Sequence, residues 1–246
     1  MKDTNFWEYR FKVRSFDVDR SNFITATAIS EYLQEIAGEH ANNIGFGYRQ
    51  VIKQQMVWVL SGIRIEVQRL PRWEEEVLIQ TWVVDNNRFL SRRDFRWLDK
   101  QGNELLTATT NWILFHTEKR RPQLVEQMNF PLKMKPEQTA TGLPVQNIRV
   151  KIEDQRPKTY EVKYSDLDMV GHMNNTKYIR AIMDTYTPEF HAAHHIKSMD
   201  INFKTEARFG DELLILSQET KEHIYVHQLM RSEDEKVNCL VQVIWD

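Results

Sequence analysis

The stretch FDVDRSNFITATAISEYL, residues 16–33, lies without a gap over SDLDMVGHMNNTKYIRAI, residues 165–182. Asp17 falls on Asp166 and Asp19 on Asp168, while Ile29 and Leu33 fall on Tyr178 and Ile182. Each copy passes from a polar, turn-forming loop into apolar residues at helical spacing. Ile29, Leu33, Ile36, Ala37 and His40 predict a helix over 25–41, and Tyr178, Ile179, Ile182, Met183 and Tyr186 predict another over 174–186.

The surrounding order repeats as well. Extended FWEYRFKVRSFDVD precedes the first helix and YEVKY the second. After the first helix, Ile63, Ile65 and Val67 alternate with Arg64 and Glu66. VLIQTWVV at 77–84 follows, and then a hairpin turning at Lys100–Asn103. The second half predicts strands near 198–205, 212–219, 224–232 and 237–245. IRIEVQRLPRWEEEVLI overlies MDINFKTEARFGDELLI, pairing Ile63, Ile65 and Val67 with Met199, Ile201 and Phe203. The chain therefore reads as a duplication, each half a helix wrapped by an antiparallel sheet, in an α+β architecture. KMKPEQTATGLPVQN, 133–147, has neither period and reads as a linker. The expected division is 1–132, a linker over 133–157, and 158–246.

Composition narrows the class. A chain of 246 residues with 41% hydrophobic and 28% charged residues can bury a sizeable core. A net charge of −2 supplies no general basic field, which argues against a nucleic-acid binder. The charged N-terminus is unlike a signal peptide, and no apolar run reaches the length of a membrane span, so a cytoplasmic protein is expected. The one cysteine, Cys239, excludes an internal disulfide and any Cys-based zinc site.

The two copies differ in chemistry. Where the second has His172 the first has Phe23, and where the second has Glu206 the first has Leu70. One site has kept polar groups while its mate has become apolar lining. Asp166 has a counterpart in the apolar copy and reads as structural, and Asn174 and Asn175 read first as helix-start residues. Trp58, Trp82, Trp97 and Trp112 read first as core and second as pocket lining. His191 and His195 stand at i, i+4 but lack a third ligand, so HAAHH reads as a solvated helix end or loop. Arg92, Arg93 and Arg96, with Lys119, Arg120 and Arg121, are either solvated charge or a patch for an acidic partner.

The segment SDLDMVGHMNNTKYI, the acid of FKTEARFGDEL 34 residues beyond its histidine, RRDF at 92–95 and KRRP at 119–122 resemble the acyl-acyl carrier protein thioesterases. These are tandem hotdog enzymes of plant plastids and bacteria. The resemblance spans the chain from the first helix to the last strand. It implies a double hotdog fold and hydrolysis of the thioester between a fatty acyl chain and the phosphopantetheine arm of acyl carrier protein. It implies no metal or organic cofactor. By position it places the catalytic aspartate on Asp168, the histidine on His172 and the glutamate on Glu206. The family's asparagine would fall on Val170, and the cysteine once proposed as nucleophile on Ala207, so the chain departs from the pattern at both.

Hydrolysis needs an attacking water, a base and donors for the developing oxyanion. Asp168 or Glu206 is the expected base, with direct attack by Asp168 as the less favoured route. His172 is expected to orient water or protonate the leaving thiolate. The backbone N–H groups of Gly171 and His172, at a helix N-terminus, are expected to face the thioester oxygen, with Asn174 and Asn175 supporting. The acyl chain is expected in the first half, lined by Phe23, Trp58, Leu70 and Trp82, and the carrier on Arg92, Arg93, Lys119, Arg120 and Arg121. The alternatives are an acyl-CoA thioesterase of the same fold, or a noncatalytic acyl- or carrier-binding protein for which Val170 argues. A tandem chain can also still form a homodimer.

Overall fold

The computed structural model of the chain describes residues 5–128, 133–153 and 156–246. The expected boundary at residue 132 and linker residues 154 and 155 lie outside the described residues. Two compact units are present, Met1–Thr25 with Ile29–Val145, and Gln146–Asp246 with Ala26–Ala28. The first contains β1 (Trp7–Lys12), all of α1 (Ala26–Asn43) from Ile29 onward, the single-turn α2 (Tyr48–Val51), β2 (Met56–Val67), β3 (Glu76–Asn87), β4 (Leu90–Leu98), β5 (Glu104–His116) and the two-residue β6 (Arg121–Pro122). The second contains β7 (Lys158–Glu161), α3 (Asn175–Met183), α4 (Pro188–Ala193), β8 (Ile196–Phe203), β9 (Glu212–Lys221), β10 (Ile224–Arg231) and β11 (Val237–Trp245).

Strand neighbours run β1-β3-β4-β5-β2 in the first unit and β7-β9-β10-β11-β8 in the second, so the duplication holds strand for strand. All of these pairings are antiparallel. With one helix packed on each sheet, this is the tandem hotdog fold. In α1 the residues at helical spacing, Ile29, Leu33, Ile36, Ala37 and His40, are all buried. Each large aliphatic there contributes about 1.5–3 kcal/mol by leaving water. Tyr32 carries the helix onto the sheet, its ring 4.0 Å from Phe11 and 5.8 Å from Trp97 between centroids.

The second helix is shorter than its periodicity predicts. α3 ends at Met183, and Thr187 then caps α4 by accepting the Phe190 N–H at 3.2 Å, with Pro188 in the first turn. A residue before proline is driven out of the helical region, which stops α3 from running on. Tyr186, past the helix end, keeps its core role. Its hydroxyl accepts the Trp245 indole N–H at 3.2 Å and meets His227 Nε2 at 2.7 Å. HAAHH is partly helical. His191 contacts the Met183 carbonyl, and His194 and His195 hold Asp246.

The segment read as a linker has no regular structure, yet it is fastened down. In the first unit Trp82 donates its indole N–H to Gln138 O at 2.7 Å, Ala140 N–H donates to Asp94 Oδ2 at 2.6 Å, and Gly142 N–H to Glu66 Oε2 at 2.8 Å. In the second unit Gln146 N–H donates to Asp200 Oδ1 and Ile148 N–H to Asn202 Oδ1. Ile148 and Ile152 then pack on Val226 and Leu240. Trp82, Asp94, Glu66, Asp200 and Asn202 are strand residues whose polar atoms these backbone groups satisfy, Trp82 as donor and the others as acceptors.

His227 supplies a testable consequence. It is buried between Tyr186 and Ser217, and burial pushes its pKa down to about 4. The unfolded chain therefore binds a proton that the folded one refuses, so stability is complete above about pH 6.5 and lost as pH falls toward 4. Urea unfolding at pH 7 and pH 4.5 should differ by about 2–3 kcal/mol more in the native chain than in His227→Gln. Equal pH dependence in both would show that His227 is not the group involved.

Candidate active site

The loop before each central helix is closed by the same two carboxylates. In the first unit Asp19 Oδ1 accepts the N–H groups of Ser21 at 2.8 Å and Phe23 at 3.1 Å. In the second Asp168 Oδ1 accepts those of Val170 at 2.9 Å and His172 at 3.1 Å. Asp168 N–H donates to His172 O and Gly171 N–H to Asp168 O, repeating Asp19 to Phe23 and Asn22 to Asp19. The turn needs a left-handed residue, supplied by Asn22 at φ 64° and Gly171 at φ 82°. One step earlier Asp17 accepts Arg14 N–H and the Tyr32 hydroxyl, and Asp166 accepts Lys163 N–H. Asp166 is thus structural.

On this shared loop the side chain at the fourth position after Asp168 or Asp19 differs. In the first unit it is Phe23, lying under the Arg72 guanidinium at 4.5 Å. In the second it is His172, whose Nε2 approaches Glu206 Oε2 to 3.1 Å. The pair faces water, with His172 26% and Glu206 56% exposed at the side chain. Ile24 N–H donates to Pro71 O and Met173 N–H to Ala207 O, so each loop hangs on the residue after Leu70 or Glu206. That common bond is why Leu70 and Glu206 occupy equivalent places beside Phe23 and His172.

The Glu206 arm has its own latch. The Glu206 carbonyl accepts Arg231 Nη2 at 2.7 Å and Asn238 Nδ2 at 3.2 Å, and Ala207 N–H donates to the buried Tyr178 hydroxyl at 3.0 Å. Arg231 is held by Asp211 and Asp234. Sequence reasoning missed Arg231, Asn238 and the Tyr178 hydroxyl. A signal existed for one of them. Gln68 and Arg69 N–H donate to Leu105 O as Lys204 and Thr205 N–H donate to Asn238 O, so Asn238 replaces Leu105 just as Glu206 replaces Leu70. Carrying the alignment of the copies into the last strand would have found it.

Several expectations change. Gly171 and His172 cannot offer their N–H groups to a thioester oxygen, because each proton is already donated to Asp168, and both residues precede α3, which starts at Asn175. Asn174 caps α3 by accepting Thr176 N–H at 2.9 Å and its hydroxyl at 2.9 Å. Asn175 is half-buried, and among the described residues its N–H has no partner. Val170 is 51% exposed and its backbone belongs to the turn, so its side chain is not needed for loop closure.

Arg93 is buried against α1 and cannot join a surface patch, while Arg92 is paired with Asp85 at 3.0 Å. Lys119, Arg120 and Arg121 are exposed at the β5–β6 turn. Trp82 is fully buried on the face opposite α1, with its N–H on Gln138, because strand alternation puts Thr81 and not Trp82 toward Arg93 and His40. That removes it from a lining that faces α1. Trp58 is half-buried, donates to Phe46 O just after α1 at 2.8 Å and packs on Val51, Met56, Leu114 and Val125. Leu70 is half-buried, and Cys239 is fully buried in β11, where burial pushes its thiol pKa up.

Fold and site define a double-hotdog chain that carries an imidazole–carboxylate pair in its second copy. The chain belongs to the acyl-ACP thioesterase family: the model of that family's N-terminal domain matches residues 4–129 and that of its C-terminal domain residues 149–246. It is 29% identical over 230 residues to oleoyl-acyl carrier protein thioesterase 2, chloroplastic, of Arabidopsis thaliana, covering 86% of this chain and 62% of that protein. The dodecanoyl-[acyl-carrier-protein] hydrolase, chloroplastic, of Cinnamomum camphora is 26% identical, with 84% and 58% covered. The chain thus spans about 60% of the length of the curated relatives it matches. An acyl-ACP thioesterase structure from Bacteroides thetaiotaomicron superposes with a TM-score of 0.86 at 26% identity, covering 100% of both chains. The 12:0-ACP thioesterase of Umbellularia californica, at 21% identity, shares the fold with a TM-score of 0.80 over 98% of this chain and 97% of its own.

The turn at Asp168 separates two substitutions. Asp168→Asn keeps an oxygen for the Val170 and His172 N–H groups, whereas Asp168→Ala removes it and should cost about 1–2 kcal/mol more. Urea unfolding of both variants checks this. Equal stabilities would mean that the carboxylate does not hold the loop.

Proposed function

We propose that the chain hydrolyses the thioester of fatty acyl-acyl carrier protein, releasing a free fatty acid and ending chain elongation. The observation that carries this reading is the exchange of Phe23 and Leu70 for His172 and Glu206 on otherwise matching loops. A structural loop needs neither residue, since the first copy closes the same turn without them. In the mechanism, His172 or Glu206 takes a proton from water as its oxygen bonds to the thioester carbon. The tetrahedral intermediate then breaks its C–S bond, and the proton passes to the departing pantetheine sulfur. Asp168 uses Oδ1 for the turn, and among the described residues nothing bonds Oδ2, which leaves that oxygen to hold the water. With the Gly171 and His172 amides consumed, the Asn175 N–H is the donor left for the carbonyl oxygen.

The acyl chain is assigned to the helix-facing side of the first unit, with Trp58 in its lining and Phe23 and Leu70 closing the place where polar groups stand in the other copy. The carrier is assigned to the exposed Lys119, Arg120 and Arg121, whose charge suits an acidic protein. Among the described residues no helix is long and apolar enough to cross a membrane, and no group of His, Cys, Asp and Glu is placed to hold a metal. The working context of this reaction is the cytoplasm, and a homodimer of the tandem chain is compatible with it.

Release of thiol from acyl carrier protein loaded with medium and long acyl chains tests the reading, with acyl-CoA of the same lengths run in parallel. Asp168→Asn, His172→Ala and Glu206→Gln should each lower the rate by about two orders of magnitude while melting like the native chain. Val170→Asn should change it little. Native protein that binds the loaded carrier without hydrolysis above background would replace the enzyme by a binding protein, and a preference for acyl-CoA would replace the carrier. Arg231→Met should lower the rate about tenfold with KM nearly unchanged, because it frees the Glu206 backbone without touching substrate.

A further inference from the structure

The helix-facing side of the first unit's sheet contains a guanidinium that no acid among the described residues pairs with. Arg93, in the middle of β4, is only 5% exposed. Its Nη1 donates to His40 Nδ1 on α1 at 2.8 Å and to Thr81 Oγ1 on β3 at 3.2 Å. Thr110 lies opposite Arg93 in the β4–β5 register. It spends its hydroxyl proton on Arg93 O at 3.3 Å and accepts the Trp112 indole N–H at 2.9 Å. The neighbouring acid, Asp94, points to the other face, where Thr109 and Ala140 N–H hold it.

Among the described residues no acceptor reaches Arg93 Nε or Nη2, and no carboxylate pairs with it. The two nitrogens are also not sealed in protein, unlike the Nε atom of Arg92. Burial pulls the pKa of Arg93 down to about 10, so the group still carries its charge at neutral pH. A buried, uncompensated cation is destabilising, and a counter-ion beside it relieves that cost. Nε and Nη2 form the lateral edge of the guanidinium, the edge that meets the two oxygens of a carboxylate in parallel hydrogen bonds. The Thr81 and Thr110 hydroxyl protons are already spent, so the donors on offer are the two guanidinium N–H groups, which favour a carboxylate with its paired acceptor oxygens over a hydroxyl or a methyl group.

We propose that Arg93, flanked by His40, Thr81 and Thr110, is a carboxylate-binding site inside the first unit that takes the charged end of an aliphatic acid. The assignment rests on the reading that this unit houses the acyl chain. The carboxylate has two sources. It is either the released fatty acid, bound as product, or a distal carboxyl group on the acyl chain of the substrate.

Calorimetric binding of dodecanoate and dodecanol to the native chain tests the site without requiring turnover, so it reads out even if thioester hydrolysis is absent. The acid should bind about tenfold to a hundredfold more tightly, the range expected for a hydrogen-bonded charged group. Arg93→Met should remove that preference, and it should fold, because it deletes an unpaired buried charge. Equal binding of acid and alcohol by the native chain, or a preference that survives in Arg93→Met, overturns the proposal. Two further arms separate the sources. Faster hydrolysis of the ω-carboxydodecanoyl carrier than of the dodecanoyl carrier assigns the carboxylate to substrate. Inhibition by dodecanoate and not by dodecanol, without that rate preference, assigns it to product.

Discussion

Capture of backbone N–H groups by a carboxylate just before each central helix is the constraint on which both halves depend. Asp19 and Asp168 each gather two amides into one tight loop, and Asp17 and Asp166 tie the same loop to the segment in front of it. The helix that follows is thereby aimed across its sheet, and the loop is hung on the chain beyond β2 or β8 through Ile24 or Met173. Because backbone atoms and two acids make the whole arrangement, the other side chains on the loop are free to change. That freedom let one copy carry His172 where the other carries Phe23.

Divergence has proceeded as a set. Where the first copy has Leu70 and Leu105 the second has Glu206 and Asn238, and Asn238 holds the Glu206 carbonyl together with Arg231. In the first unit the equivalent region turned apolar, while polar chemistry remained at a different place, around Arg93 and His40 deep against α1. The two copies therefore keep charge at non-equivalent positions, buried at Arg93 in the first and facing water at Glu206 in the second. Selection for a common fold alone would not require that.

The segment joining the copies illustrates how an irregular stretch can be ordered. Its composition lacks either period, and it forms no helix or strand. Strand residues on the outer faces, Glu66, Trp82 and Asp94 in the first unit and Asp200 and Asn202 in the second, bond its backbone. Once covered, those polar groups need these bonds, so the segment is part of each unit's packing and not a slack tether.

The duplication, the order of elements, the buried face of α1 and the pairing of His172 with Phe23 and Glu206 with Leu70 were determined by the sequence itself. Periodicity and gapless self-alignment register them directly, because burial on one helix face or one strand face repeats at a fixed spacing. Local proline chemistry ended α3 earlier than its apolar pattern did, which shows a short-range rule overriding a longer one. Tertiary structure alone decided where protons and charges go. The Gly171 and His172 amides are spent on Asp168, Asn238 and Arg231 reach Glu206 from later strands, and Arg93, a surface residue by composition, is buried toward α1 while Asp94 beside it is buried on the opposite face of the sheet. Such facts depend on which face of a strand a residue takes and on partners tens of residues away, and no local pattern in the chain encodes either.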